Sequence, residues 1–344
     1  MARLPTPGRG WIPRMVLGAG LALVLAGCGM TGGGTATGSS TASPASPAPS
    51  GACTSAPEPP STLPGWSSAA TEPTVFPVIV NSGGSLTCGT NRLLLTVLDA
   101  ASKPVASPDR TVSLAIFDLA RNPAIATQST QATFVWGIEG TRGFYVANVT
   151  FPEAGVWGAE LTTQLNDAAP ETIRLTFDVS VSSPVVRVGE LAPASDTPTS
   201  ASVGGNLAKL SSDSHPDPAF YATSVKAALA AHEPFVLIFA TPKFCVSAQC
   251  GPTLDRVKPL AADFPTVRFI HAEPYELKFK DGSLQPVLDL TVDPAALKPT
   301  QAVLDWGLLS EPWVFVVDAT GIVRASFEGV VGTDELRTAI AAVK

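Results

Sequence analysis

Residues 235–240, Phe-Val-Leu-Ile-Phe-Ala, form an unbroken apolar run bounded by Pro234 and Thr241. A strand with no polar alternation has no face to give to water, so it belongs at the centre of a sheet covered on both sides. Directly after it the chain reads FCVSAQCGP (residues 244–252), placing Cys245 and Cys250 just beyond the end of that strand. On a regular helix, residues at this spacing lie about 7.5 Å apart along the axis and point about 140° apart. Their Cα atoms would then be about 8.6 Å apart, beyond the ~4.4–6.8 Å that a disulfide accepts. Pairing therefore requires a loop or the unwinding of a helical turn, and Gly251-Pro252 allows the loop, with a helix that starts at Pro252 and both cysteines ahead of it.

The elements around this run alternate. Asp217-Pro218 opens a helical stretch to about Ala231, with Pro218 suited to the first helical position. A helical pattern follows from Pro252 to Phe264, with Pro259 inside it, and TVRFIHA (266–272) reads as a strand. WVFVVDATGIVRASFEG (313–329) predicts a hairpin turning at Asp318-Ala-Thr-Gly321, and Thr333 a cap for a last helix bearing Leu336, Ile340 and Val343.

The N-terminus carries Arg3, Arg9 and Arg14 ahead of a short apolar run, Met15–Ala26, and then Leu25-Ala26-Gly27-Cys28. The run is short for a transmembrane helix and has the layout of an export signal. Residues 29–72 are rich in Gly, Ser, Thr, Ala and Pro and predict a flexible tether. The remainder divides into 73–182, a Ser/Thr/Ala/Pro-rich linker over 183–214, and 215–344. The net charge of −7 and the absence of basic runs exclude a nucleic-acid partner. Five cysteines in an exported chain point to disulfide chemistry. A structural bridge Cys53–Cys88 and a second pair Cys245–Cys250 are the local pairings, with other connectivities left open.

Between 73 and 182, seven β-rich runs separated by turn residues predict an antiparallel immunoglobulin-like β-sandwich. They are 74–80, 92–99, 111–118, 132–138, 143–151, 155–163 and 172–181. This part holds none of the chain's three histidines. The stretch GFYVANVTFPEAGVWGAELTT resembles extracytoplasmic sandwiches of the YtkA type, which implies a scaffold or docking role.

Leu25-Ala26-Gly27-Cys28 resembles a bacterial lipobox, which implies lipidation of Cys28 and anchoring at the extracytoplasmic face of the cell membrane. The order helix, buried strand, cysteine loop, proline-containing helix, strand, Pro-led hairpin, helix over 215–344 resembles the thioredoxin, TlpA and peroxiredoxin superfamily. VGELAPASDTPT (188–199) is similar to the opening of membrane-anchored members. The resemblance implies an α/β thioredoxin-like domain acting as a thiol–disulfide oxidoreductase on exported protein thiols or disulfides, with no cofactor. Cys245 would be the attacking thiolate, Cys250 the resolving thiol, and Pro312 a cis proline shaping the substrate groove. The segment 276–309 exceeds a minimal thioredoxin and predicts an inserted loop or helix.

The pair departs from that family's C-x-x-C, and Phe239 stands where it has a buried acid. The C-x4-C spacing resembles Q-type peroxiredoxins, with Arg324 as the only Arg suggested for peroxide. Sco-type copper chaperones share the fold and would need a histidine, His232 or His271. A passive disulfide in a non-catalytic binding or assembly module is the remaining alternative. Lys243 and the following helix N-terminus are the groups available to favour a Cys245 thiolate.

Overall fold

A computed structural model describes residues 53–66 and 73–344. Cys28, the leader and the first part of the expected tether lie outside the described residues. Residues 53–66 belong to the folded chain, contrary to the tether expectation. Cys53 is disulfide-bonded to Cys88, and the chain then runs alongside residue 154, with Ala56 N donating to the Ala154 carbonyl at 2.7 Å. Trp66 is buried against Phe117, its ring 5.0 Å away, and Trp66 Nε1 donates to the Pro123 carbonyl at 3.1 Å. A disulfide and a buried indole offset the ordering entropy of a polar segment in a way that composition does not reveal.

Eight strands follow. They are β1 (Val75–Ile79), β2 (Gly89–Asp99), β3 (Arg110–Asp118), β4 (Ala126–Gln131), β5 (Thr133–Ile138), β6 (Arg142–Phe151), β7 (Gly155–Leu165) and β8 (Glu171–Val179). They form two antiparallel four-stranded sheets, ordered β1-β2-β6-β5 and β4-β3-β7-β8. Leu93, Leu95 and Val149 of the first sheet meet Leu114, Trp157 and Leu161 of the second in one shared core. The extra strand, β4, has the sequence ATQSTQ and alternates between half-buried and exposed positions at a sheet edge. With almost no apolar residues it gives no strand signal, and only its pairing with β3 makes it one.

After residue 182 the chain is packed rather than free. Val185 is buried in the core of the following sheet, Ser195 and Thr197 are buried, and Val186 N donates to the Trp306 carbonyl at 3.1 Å. The stretch expected as one helix over 217–231 is broken. Pro218–Tyr221 is a single 3-10 turn, and α1 (Val225–Ala230) starts anew with the Ser224 hydroxyl accepting from Ala227 N at 3.1 Å. Then come β9 (Phe235–Phe239), α2 (Cys250–Val257), β10 (Arg268–Ala272), β11 (Leu277–Lys280), β12 (Ser283–Pro286), α3 (Gln301–Trp306), β13 (Trp313–Val317), β14 (Val323–Glu328) and α4 (Thr333–Ala341). Pro259 ends the α-helical part of its stretch, and Lys258–Asp263 continues as 3-10 helix. Gly332, not Thr333, precedes α4 as its cap, and the Glu335 carboxylate accepts from Gly332 N at 3.3 Å.

The C-terminal sheet has the order β10-β9-β13-β14, with β10 parallel and β13 antiparallel to β9. Every residue of β9 and β13 is buried. Side chains from α2 and α4 pack on one face with Ile238 and Val314. Those of α1 and α3 pack on the other with Phe239 and Phe315. Among the described residues no helix is long and apolar enough to cross a membrane.

The N-terminal sheets are fixed to the C-terminal sheet. Leu94, Phe144 and Val146, on the outer face of β2 and β6, form a buried cluster with Val330. Beside it Arg92 makes a two-pronged bond to Glu335, Nε to Oε1 at 2.6 Å and Nη2 to Oε2 at 2.9 Å. Ser82 N donates to Glu328 Oε1 at 2.8 Å.

Trp66→Ala tests the folding of the segment before β1. It should cost about 3 kcal/mol in denaturant unfolding, as expected for truncating a buried aromatic side chain. An unchanged midpoint would remove residues 53–66 from the folded structure.

Candidate functional site

The segment from the end of β9 into the first turn of α2 carries the cysteines, and they are joined, with Cα atoms 6.0 Å apart. The helix starts at Cys250, two residues earlier than Pro252 would suggest. The first N–H groups of a helix have no partner within it, so Pro252 loses nothing in the first turn. Only Cys245 therefore lies in the loop, and Ala248 in a left-handed conformation, φ +60°, turns the chain between the two. Cys250 is fully buried and Cys245 half-buried, so the two cysteines differ in their exposure. The Cys250 N–H, free at the helix start, points at Cys245 Sγ at 3.3 Å. The Ser247 hydroxyl lies 3.3 Å from Cys245 Sγ and 3.3 Å from the Glu311 carbonyl oxygen. The Ser247 hydroxyl donates its one proton to that carbonyl, so it is the Cys250 N–H that can hold negative charge on the Cys245 sulfur.

The Glu311–Pro312 bond is cis, and Pro312 is buried ahead of β13. Ser247 thus links the backbone just before Pro312 to Cys245, and the three residues chosen from sequence, Cys245, Cys250 and Pro312, come together. Lys243 does not join them. Its ammonium reaches the Leu284 carbonyl at 3.5 Å and lies 5.5 Å from the centre of the Phe244 ring.

Glu311 is the residue that sequence reasoning missed. A carboxylate oxygen of Glu311 and both sulfurs lie within 4.8 Å of one another. Phe239 is buried beside Trp306 and Phe315, so the strand position that lacks an acid stays apolar. A carboxylate reaches the sulfurs from another element instead. The Tyr275 hydroxyl donates to Glu311 Oε2 at 2.5 Å. Burial first, and then the bonded Glu311 carboxylate, push the Tyr275 hydroxyl above its usual range, so it remains a donor. The only sequence signal for Glu311 was its place directly before Pro312; Tyr275 had none.

The N-terminal sheets also touch this loop. Arg142 Nη1 donates to the Ser247 carbonyl at 3.0 Å. Arg256 in α2, its pKa lowered mainly by burial, donates to the Trp136 carbonyl at 2.7 Å and the Val331 carbonyl at 2.9 Å. Gly137 packs where any Cβ would collide with Gln249 Oε1 and the Phe144 ring.

Three residues named from sequence fall elsewhere. Arg324 pairs with Asp318 at 2.5 Å and lies at the Val317–Val323 end of the β13–β14 pair, opposite the Trp313 end that adjoins the cysteines. A peroxide site at Cys245 would lack that Arg. His232 is exposed at the start of β9, a strand length of roughly 17 Å from its far end. His271 is buried with both nitrogens engaged, Nε2 with the Ala240 carbonyl at 2.8 Å and Nδ1 with the Tyr221 hydroxyl at 2.6 Å. A carbonyl only accepts, so Nε2 carries the proton and Nδ1 accepts from Tyr221. Neither histidine is placed to share a metal ion with the cysteine sulfurs.

No family model and no curated protein matches the chain. Among solved structures, a DUF4426 family protein from Pseudomonas aeruginosa PAO1 is similar at 13% identity and a TM-score of 0.22, over 30% of this chain and 87% of its own.

Burial lowers the pKa of His271, so the folded chain excludes a proton that the unfolded chain accepts below about pH 6.5. This group leaves stability unchanged above that pH and lowers it below, by up to about 1.4 kcal/mol per pH unit. Between about pH 7 and pH 5, urea midpoints should fall more steeply in the unaltered chain than in His271→Gln. Equal slopes would show that His271 takes up a proton in the folded state.

Proposed function

We propose that this protein is an extracytoplasmic thiol–disulfide oxidoreductase, held at the cell membrane by a lipid on Cys28 and acting on exported protein thiols or disulfides. The observation that carries the reading is the Cys245–Cys250 disulfide itself, with one cysteine half-buried and the other fully buried, at the start of α2 and beside the residues around Pro312. The sheet order β10-β9-β13-β14, helices on both faces and a cis proline ahead of β13 support a thioredoxin-like fold for this part. The paired four-stranded sheets support an immunoglobulin-like sandwich as its docking scaffold.

In the reducing direction the Cys245 thiolate attacks a substrate disulfide. One substrate sulfur leaves as a thiolate and takes a proton, and a mixed disulfide forms on Cys245. Cys250 then loses its proton and attacks Cys245 Sγ, closing the pair and releasing the second substrate thiol. The oxidising direction runs the same steps backward. The Cys250 N–H stabilises the Cys245 thiolate whenever it is the leaving or attacking group.

In the full-length chain, Cys250→Ser should trap a mixed disulfide on Cys245, and Cys245→Ser should abolish exchange. The Cys245–Cys250 couple, read from its own peptide by mass spectrometry in glutathione buffers, should lie between about −270 and −120 mV. A potential below about −300 mV with no exchange would make the pair a structural brace in a binding module.

A further inference from the structure

We propose that, once its disulfide is reduced, the chain binds one borderline divalent ion of the Zn2+ class through Cys245, Cys250 and Glu311. Their three ligand atoms already lie within 4.8 Å of one another and come from three different elements: the loop, the start of α2 and the approach to β13. A tetrahedral ion with metal–sulfur distances of about 2.3 Å and metal–oxygen distances of about 2.0–2.2 Å sets its ligand atoms roughly 3.6–3.8 Å apart. Breaking the disulfide frees the sulfurs to separate to that spacing, and the carboxylate, within 4.8 Å of both, needs to close by no more than about 1 Å.

The surroundings are those of a ligand set. The Tyr275 hydroxyl fixes Glu311 Oε2 at 2.5 Å, and the Cys250 N–H supports Cys245 Sγ at 3.3 Å. Groups of this kind orient ligands and raise their affinity. Two thiolates and a carboxylate would gather three negative charges, and no Lys or Arg among the described residues pairs with Glu311. A dication relieves that repulsion. The hard carboxylate selects a borderline ion over Cu(I), for which the two sulfurs alone would serve. The fourth position stays open, because no histidine reaches the site.

Reduction adds two electrons and two protons to the disulfide and gives two thiols. A dithiol supplies both and closes to its own disulfide. A phosphine supplies the electrons and takes up the oxygen of a water molecule as phosphine oxide, and that water supplies the protons. The ion then displaces the two thiol protons as the thiolates bind it. Metal and disulfide are therefore mutually exclusive states of one pair of sulfurs.

The test uses the full-length chain reduced with a water-soluble phosphine. Zn2+ is titrated in competition with a chromophoric chelator, and Co2+ reads thiolate ligation by its sulfur-to-metal absorption. One ion per chain is expected after reduction and none after reoxidation. Affinity should fall at least tenfold in Glu311→Gln and about tenfold in Tyr275→Phe, with the Co2+ spectrum altered in the former. Equal affinity in Glu311→Gln would overturn the proposal, since a site at Cys53 and Cys88 or a bare dithiol would behave so. Binding by the oxidised chain would overturn it as well, as would failure to compete with the chelator. Exchange measured on the unaltered chain in excess chelator keeps the two readings apart. Exchange without metal binding overturns only the metal site, and metal binding without exchange overturns only the oxidoreductase.

Discussion

The outer faces of β2 and β6 are apolar, and closing them is the constraint on which the arrangement of the molecule depends. Leu94, Phe144 and Val146 face away from the core that β2 and β6 share with the second sheet, and they are covered by Val330 of the C-terminal part. Each such side chain contributes on the order of 1.5–3 kcal/mol when removed from water. The Arg92–Glu335 pair at the margin adds direction to that contact rather than most of its energy. Once the faces meet, the β5–β6 end of the N-terminal sheets has no freedom relative to the cysteine loop. Arg142 and the Trp136 carbonyl then fall within hydrogen-bonding reach of the loop and of α2.

The strands of the C-terminal sheet were legible because burial on both faces leaves a plain mark, as in FVLIF and WVFVV. Strand β4 was illegible for the opposite reason, since an edge strand of Thr, Ser and Gln needs no apolar pattern to pair. The Pro252 error came from treating a proline as a helix start, when any first-turn position lacks a helical donor requirement. The broken 217–231 stretch shows tertiary structure overriding local pattern, because Tyr221 is drawn inward to His271. The double burial of β2 was present in RLLLTVLD, where Leu93, Leu94 and Leu95 in succession leave no polar face; reading it so would have revealed the covered outer face.

At the site, the cysteines and Pro312 could be found because each is chemically distinctive at its place in the chain. Glu311 and Tyr275 could not, since their roles rest on proximity across residues far apart in sequence. The acid lacking at Phe239 illustrates the limit of aligning by spacing. A carboxylate near a pair of sulfurs is a requirement of space, and a segment entering from another strand meets it as well as the preceding strand would. What a carboxylate there does to the sulfurs depends on its charge and on what lies between them.

The bridge between Cys53 and Cys88 also has a mechanical meaning. Cys88 immediately precedes β2, the strand at the centre of both apolar contacts. Tension applied to the chain ahead of Cys53 passes through the sulfur–sulfur bond into β2. Residues 54–87, including β1 and the segment around Trp66, lie off the line of force. A pull from that side therefore loads β2 along its length, in shear against its neighbours β1 and β6, instead of peeling the edge strand away bond by bond.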